Sequence, residues 1–177
     1  MNSNQRSDAD HAANIRCILS DVDGVMTDGR IIYDAAGLET KRFHVRDGLG
    51  IKLWMQSGFA FGILTARTSP MVDRRAKELG ITAVKQGYED KWPAAIEMMA
   101  SLGCTADQVC YIGDDLPDVP VMQQVGLSVA PADAARDVRE TADWNLQGLG
   151  GEGVLRELIE RLLRAGGRWE EHVRRTA

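Results

Sequence analysis

The sequence predicts an α/β fold, a Rossmann-like parallel sheet with helices on both faces, plus a β-hairpin insertion. Two observations predict it. Short apolar runs alternate with longer amphipathic segments along the chain, which is the order of strand and helix that builds a parallel sheet. Glycine or proline stands at several of the boundaries between these segments, where helices start or stop. The chain has 177 residues, a length that fits one domain.

The first half of the chain predicts a hairpin between conventional strand and helix units. The apolar run at 15–20 reads as the first strand. Two β-rich stretches around the turn residues 34–37 predict the hairpin. Ser69, Pro70 and Gly80 have the asymmetry of helix start and stop residues. In order, we predict a strand at 15–20, a hairpin at about 30–46, a helix at 49–56, a strand at 59–64, a helix between Ser69 and Gly80, and a strand at 81–84.

The second half repeats the strand and helix pattern. Gly103 and Gly126 follow the predicted ends of two helices. The predicted elements are a helix at 90–102, a strand at 109–112, a helix at 117–124, a strand at 127–130, a helix at 133–141 and a helix at 154–165. We therefore predict a disordered N-terminus at 1–13, one domain at 14–165 and a C-terminal tail at 166–177.

Composition narrows the class of function. The formal net charge is −5, which argues against broad nucleic-acid binding because that needs a basic surface. No apolar stretch is long enough to cross a membrane, and no signal core is evident, so we expect a cytoplasmic protein. Cys17, Cys104 and Cys110 lack metal-binding spacing and read as reduced thiols. A small anionic substrate stays compatible with the charge.

Asp21 and Asp23 follow the first predicted strand, and Gly24 allows a sharp turn there. A carboxylate such as Asp21 can attack phosphorus and form an aspartyl-phosphate, which splits a difficult hydrolysis into two easier steps. Asp23 could protonate the leaving alkoxide and then deprotonate the attacking water. The pair predicts a nucleophile and an acid/base catalyst at one strand end.

Three further positions complete this chemistry. Thr65 ends another apolar strand and can donate to a phosphoryl oxygen, while Lys91 opens a helix and can offset phosphoryl charge. Asp114 follows a third strand and is a candidate ligand for Mg²⁺, which prefers oxygen donors. Asp115 and Asp118 are candidates to hold metal-bound water or Lys91. Phosphoryl transfer needs this combination of parts.

On these residues, the chain resembles the haloacid-dehalogenase-type phosphatases, whose four motifs it matches in order. Within them it is most similar to the 3-deoxy-D-manno-octulosonate-8-phosphate phosphatases, over roughly residues 15–168. The segments that carry this likeness are Asp21–Gly29, Phe43–Lys52, Gly113–Asp115 and Gly150–Gly153. One departure is Ala66, where the family usually has glycine.

The resemblance implies a Mg²⁺-dependent phosphomonoesterase that acts on a small phosphorylated sugar acid in lipopolysaccharide precursor synthesis. It implies that Asp21, the backbone carbonyl of Asp23 and Asp114 hold Mg²⁺. It also implies substrate contacts, which besides Asp23 are His44, Val45, Arg46, Asp47, Gly48, Lys52, Arg67, Arg75 and Lys91. A sugar carboxylate would suit the bidentate fork of an arginine.

The spacing between motifs leaves no room for a cap domain. Residues 24–58 hold a hairpin and one helix, and residues 65–91 hold one helix and one strand. An uncapped site would be open to water, and a second subunit could close it. The resemblance implies a homotetramer assembled through the hairpin, with a neighbour's hairpin or C-terminal tail lining the site.

Four alternatives stay open at this point. A phosphatase of a nine-carbon acid, 2-keto-3-deoxynononate 9-phosphate, would keep the chemistry and change the substrate. A phospho-accepting receiver domain uses similar residues, but its acidic pair precedes the phosphoacceptor. A non-catalytic scaffold would not need Asp23 or Lys91. A phosphatase of a macromolecule would use the substrate's bulk as its lid, and a monomeric state would favour it.

Overall fold

The computed structural model describes residues 7–176, and a parallel sheet forms its centre. Six strands lie in the order β5-β4-β1-β6-β7-β8, and every neighbouring pair is parallel. The strands are β1 (Cys17–Ser20), β4 (Ala60–Thr65), β5 (Ala83–Gln86), β6 (Val109–Ile112), β7 (Leu127–Ala130) and β8 (Trp144–Asn145). The predicted α/β class is confirmed.

Eight helices accompany the sheet in the described residues. They are α1 (Asp8–Asn14), α2 (Val45–Gln56), α3 (Pro70–Leu79), α4 (Lys91–Leu102), α5 (Val119–Met122), α6 (Arg136–Thr141), α7 (Val154–Ala165) and α8 (Trp169–Thr176). One buried apolar cluster joins the sheet to α2, α3 and α7, and a second joins it to α4, α5 and α6. The core therefore lies on both faces of the sheet, as predicted.

A small antiparallel hairpin, β2 (Ile32–Tyr33) with β3 (Glu39–Thr40), stands apart from the main sheet. Its strands are shorter than predicted, because the segment at 41–44 runs irregularly into α2. That helix begins at Val45 and not at residue 49, since the His44 ring nitrogen caps it by accepting from the backbone N–H of Arg46. The insertion is thus a short hairpin followed by a long helix.

Both ends of the chain differ from the predicted tails. Within the predicted disordered segment 1–13, residues 8–13 belong to α1, which starts with a reciprocal capping box between Ser7 and Asp10. Residues 1–6 lie outside the described part. Beyond Gly167 the chain forms α8, whose Trp169 is buried and packs against the guanidinium groups of Arg156 and Arg164. The C-terminal segment therefore packs on its own chain.

Two predicted helices are shorter than expected. The segment at 117–124 begins as a turn of 3₁₀-helix, Leu116–Asp118, and continues as α5. The segment at 133–141 becomes helical only at Arg136. None of the helices between residues 7 and 176 combines the length and the apolar character that crossing a membrane requires.

Candidate active site

Carboxylates gather at the C-terminal edge of the sheet. Asp21 follows β1 directly and Asp114 comes shortly after β6, and these two strands are parallel neighbours. Oxygen atoms of Asp21, Asp114 and Asp118 lie within 4.8 Å of one another. The carboxyl ends of parallel strands are where open α/β sheets bind their ligands. The sequence-predicted acids are thus brought together at one place.

Lys91 brings a cation into this group. It is the first residue of α4, and its side chain is buried. Its Nζ lies 3.0 Å from Asp21 Oδ1 and 2.6 Å from Asp118 Oδ1. Burial alone would lower the pKa of Lys91, but the charges of the two carboxylates outweigh it and hold that pKa above its ordinary value. Lys91 therefore stays protonated beside the predicted nucleophile.

Asp118 has all of its hydrogen-bonding capacity occupied. Its Oδ1 accepts from Lys91 Nζ and from the Tyr111 hydroxyl, each at 2.6 Å. Its Oδ2 accepts from the backbone N–H groups of Asp114 at 2.9 Å and Asp115 at 3.1 Å. A carboxylate with four donors has no lone pair left for a metal, so Asp118 positions Lys91 and the Asp114 loop. Tyr111 was missed because a tyrosine in a buried strand looks like core.

Asp21 and Asp114, unlike Asp118, each have a carboxylate oxygen that accepts no hydrogen bond within the described part of the chain. Among the described residues, Asp21 Oδ1 and Asp114 Oδ1 are buried without a hydrogen bond, and Lys91 contacts Asp21 Oδ1 only as an ion pair. Burial, reinforced by neighbouring carboxylates, raises the pKa of Asp21 to about 6 and that of Asp114 to about 8. The Asp114 oxygen without a partner in the described chain, beside the Asp21 carboxylate, fits a hard divalent cation.

Gly24 makes room for this arrangement. It has φ +94°, and a Cβ built on it would lie 1.9 Å from Asp114 Oδ2. Any side chain there would displace the Asp114 carboxylate. The glycine at this position is thus required both by backbone conformation and by the carboxylate that faces it.

A glycine loop supports the Asp21–Gly29 segment from behind. The backbone N–H of Gly151 donates to the carbonyl of Val25 at 2.9 Å. A Cβ on Gly150 would lie 2.0 Å from the carbonyl oxygen of Gly24. The backbones of the two segments are in direct contact here. This contact explains why the Gly150–Gly153 segment, which carries part of the family resemblance, is rich in glycine.

Asp23 lies in a ring of charges that sequence reasoning found only in part. Lys41 Nζ is in contact with Asp23 Oδ1 and lies 3.6 Å from Glu39 Oε1. Arg67 reaches the same two acids, with Nη2 at 2.9 Å from Glu39 Oε1 and Nε at 3.7 Å from Asp23 Oδ2. Lys41 and Glu39 were missed. The sequence holds no signal for Lys41, because it lies beyond the end of β3 and its partner Asp23 belongs to another segment.

Thr65 and Asp115 lie at or just after the ends of the two strands that neighbour β1, which are β4 and β6. Thr65 is the last residue of β4, the other neighbour of β1, and it is buried. Asp115 is exposed, and its Oδ1 accepts from the backbone N–H of Leu116 at 2.8 Å. Thr65 is placed beside the β1 edge, whereas Asp115 caps the turn that follows β6.

The remaining predicted substrate residues surround the start of α2. Arg75 Nη2 donates to the carbonyl of His44 at 3.4 Å, and a Cβ on Gly48 would lie 2.3 Å from the same nitrogen. Asp47 is buried, and its Oδ1 accepts from the backbone N–H of Arg156 at 2.7 Å. These contacts hold α2 against α3 and α7.

Three other residues that were predicted to contact substrate are exposed to solvent. Arg46 and Lys52 are exposed on α2, and Val45 is 78% exposed. Of the arginines and lysines predicted to contact substrate, Arg67 and Lys91 are the two with recorded contacts to Asp21 or Asp23. The substrate roles of the α2 residues stay predictions.

Comparison with known proteins agrees with this geometry. Residues 84–158 match the haloacid dehalogenase-like hydrolase family. The curated 3-deoxy-D-manno-octulosonate 8-phosphate phosphatase KdsC of Haemophilus influenzae is 43% identical over 155 residues, 88% of this chain and 86% of that protein. The Yersinia pestis protein of the same name is 47% identical over 154 residues, 87% of this chain and 82% of that protein.

A solved structure has the same fold over nearly its whole length. It is the 3-deoxy-D-manno-octulosonate 8-phosphate phosphatase of Moraxella catarrhalis in complex with magnesium, phosphate and KDO. The TM-score is 0.93 at 38% identity, covering 96% of this chain and 98% of that one. By identity, coverage and fold, the chain belongs to the haloacid dehalogenase-like hydrolases, within their family of 3-deoxy-D-manno-octulosonate 8-phosphate phosphatases.

Proposed function

We propose that this protein is a Mg²⁺-dependent phosphomonoesterase that hydrolyses 3-deoxy-D-manno-octulosonate 8-phosphate to KDO and phosphate, in lipopolysaccharide precursor synthesis. The observation that carries the proposal is the pairing of Asp21 with Lys91 beside the free oxygen of Asp114. The substrate is that of the relatives, which match most of the chain. Neither the nine-carbon acid nor the receiver domain is favoured by these relatives.

Asp21 is the nucleophile. Its carboxylate stands at the end of β1, where a phosphate ester can approach from the open edge of the sheet. Attack on phosphorus by one Asp21 oxygen forms an aspartyl-phosphate and releases the sugar oxygen. Lys91, held by Asp118, offsets the charge on the phosphoryl oxygens, and the Thr65 hydroxyl donates to one of them.

Asp23 moves the protons. It gives a proton to the leaving sugar oxygen and later takes one from the water that hydrolyses the aspartyl-phosphate. The contacts of Lys41 and Arg67 hold its carboxylate in place. Asp21 thus acts as the nucleophile and Asp23 as the acid/base catalyst of the same reaction cycle.

Mg²⁺ is held by Asp21, the backbone carbonyl of Asp23 and Asp114. The donor set is all oxygen, and the Asp114 oxygen that makes no hydrogen bond within residues 7–176, close to the Asp21 carboxylate, fits it. When bound, the ion neutralises charge that develops on the phosphoryl group. Asp115, which is exposed, would hold water bound to the ion.

The sugar acid is recognised away from the phosphate. Arg67 is 39% exposed in its side chain and adjoins Asp23, so its fork can take the sugar carboxylate. His44, Val45, Arg46, Asp47, Gly48, Lys52 and Arg75 complete this side of the site, at the start of α2 and on α3. Arg75 and Asp47 act through the placement of α2, since both are engaged in contacts there.

The enzyme works as a homotetramer assembled through the hairpin, in the cytoplasm. Ile31, Tyr33 and Leu38 are 54%, 60% and 66% exposed, an apolar surface that a second copy would cover. Such a neighbour would also close the open site, which has no cap domain. Cys17, Cys104 and Cys110 are unpaired, which fits a reducing compartment.

The test is phosphate release with Mg²⁺ from a panel of esters. The panel holds octulosonate 8-phosphate, nononate 9-phosphate, hexose phosphates and an aryl phosphate. We expect preference for the octulosonate ester, abolished in Asp21→Asn and retained in Asp137→Asn, an exposed aspartate on α6. Preference for another ester would replace the substrate, and release from none would reject the activity.

A further inference from the structure

Lys41 has a buried side chain, although it follows an exposed hairpin tip. Residues 31–38 of the hairpin are all exposed, whereas only 2% of the Lys41 side chain is exposed. Burying an ammonium group is costly unless it is paired. The two acids that pair with it are Asp23, on the β1 loop, and Glu39, on β3. The side chain therefore turns from the hairpin into the active site.

The two oxygens of Asp23 have different surroundings. Oδ1 is in contact with Lys41 Nζ and accepts from the Thr27 hydroxyl at 3.3 Å. Among the described residues, Oδ2 has no hydrogen-bond partner, since the nearest Arg67 nitrogen lies 3.7 Å away. Lys41 thus occupies one oxygen, whereas the other is buried and makes no hydrogen bond within the described residues.

Glu39 keeps both cations of this ring in place. Its Oε1 lies 2.9 Å from Arg67 Nη2 and 3.6 Å from Lys41 Nζ, and only 12% of its side chain is exposed. The ring contains two acids and two bases, so its formal charge is balanced. It ties three segments together, which are the loops after β1 and β4 and the hairpin.

We propose that Lys41 is a positioning residue for Asp23, and that it fixes which carboxylate oxygen exchanges the proton with the leaving group and water. The inference rests on the proposed phosphatase activity. Lys41 has no need to touch the substrate, because it acts through the orientation of Asp23. Glu39 supports the same orientation by holding Lys41. The hairpin is thereby a part of the acid/base apparatus.

The test uses two esters that differ in their need for a proton. An alkyl phosphate leaves as a strongly basic alkoxide, whereas p-nitrophenolate leaves without protonation. In the first turnover, before water attacks the aspartyl-phosphate, Lys41→Met should slow alcohol release from octulosonate 8-phosphate roughly 10- to 100-fold. Release of p-nitrophenolate should change by less than about threefold, and KM should change little. Lys41→Arg should recover part of the loss.

Lys77→Met is the matched control, because Lys77 is exposed on α3 and should leave both esters unaffected. Equal slowing of both esters by Lys41→Met would overturn the inference and leave a structural role. Unchanged rates on both would overturn it as well. A wild-type protein that cleaves neither ester would reject the proposed function itself, and with it this inference.

Discussion

Gly24 faces Asp114 so closely that a methyl group in place of its hydrogen would lie 1.9 Å from Asp114 Oδ2. The two residues are far apart in the sequence but meet at the edge of the sheet. A residue without a side chain is therefore as necessary to the carboxylate site as the carboxylates are. This relationship leads to the first prediction.

Gly24→Ala should weaken Mg²⁺ binding at least about tenfold, because the new methyl group displaces the Asp114 carboxylate. The measurement is the Mg²⁺ concentration that half-saturates activity, together with the Mg²⁺-induced rise in melting temperature. Gly58→Ala is the matched control, since Gly58 has φ +86° but nothing within 4 Å of a built Cβ. Equal effects of both substitutions would show that backbone strain alone is responsible.

Lys91→Met should lower kcat roughly 10³-fold and destabilise the fold by about 3 kcal/mol. The substitution leaves Asp21 and Asp118 close together without their shared cation, and breaking a buried ion pair is costly. Adding Asp118→Asn should recover stability but not activity. Urea denaturation and steady-state kinetics measure the two effects, and recovery of activity in the double variant would contradict this role of Lys91.

Removal of Mg²⁺ should make stability depend on pH. The raised pKa values of Asp21, about 6, and Asp114, about 8, mean that the folded, metal-free protein binds more protons than the unfolded chain between about pH 4 and 8. Stability of the metal-free protein should therefore fall as the pH rises through that window.

Mg²⁺ replaces those protons, so its stabilising effect should be larger at pH 8 than at pH 5.5. The measurement is the melting temperature across pH with Mg²⁺ and with a chelator. Asp137→Asn should follow the wild-type curves, whereas Asp114→Asn should flatten the metal-free curve. A Mg²⁺ effect independent of pH would argue against these two carboxylates as ligands.

Trp169→Ala should destabilise the protein by about 3 kcal/mol and leave kcat unchanged. The indole is 5% exposed and lies 4.7 Å from the Arg156 guanidinium and 5.1 Å from that of Arg164. Arg174→Ala, on the exposed side of the same helix, is the control. A change in turnover without a change in stability would support a role of this segment in a neighbouring active site.

Leu38→Glu should dissociate the proposed tetramer, because it places a charge in the apolar surface of the hairpin. Sedimentation would report the mass, and kcat should fall together with it if a neighbour closes the site. Asp137→Leu is the control, at an exposed position on α6 and outside the hairpin. A wild-type monomer with full activity would exclude the assembly.

Local chemistry explains which elements were predictable. The bounds of β6, β7 and α7 agree with the prediction, because their apolar runs end at clear boundaries such as Gly113 and Gly153. The helix α8 was not predicted, since Trp169 is held by arginines of α7 and the segment alone has no strong pattern. Tertiary contacts override weak local preference in such segments.

The residues of the site also fall into those that the sequence could predict and those that it could not. Asp21, Asp114 and Lys91 could be placed together because strand ends meet at one edge of a parallel sheet. Lys41 could not be placed there, because its partner Asp23 belongs to another segment. The residues of the hairpin do not by themselves predict where the hairpin packs. The catalytic and binding roles themselves stay predictions that the experiments above address.

The packing of Gly150 on Gly24 has a consequence for the newly made chain. The loop around Gly24 is synthesised well before the backbone around Gly150 that packs against it. A nascent chain that stops after β7 would carry Asp21, Lys91 and Asp114 but would lack the Gly150–Gly151 backbone that packs against the loop after β1. We expect such a chain to bind no magnesium, so that the enzyme matures only when the segment around Gly150 has left the ribosome.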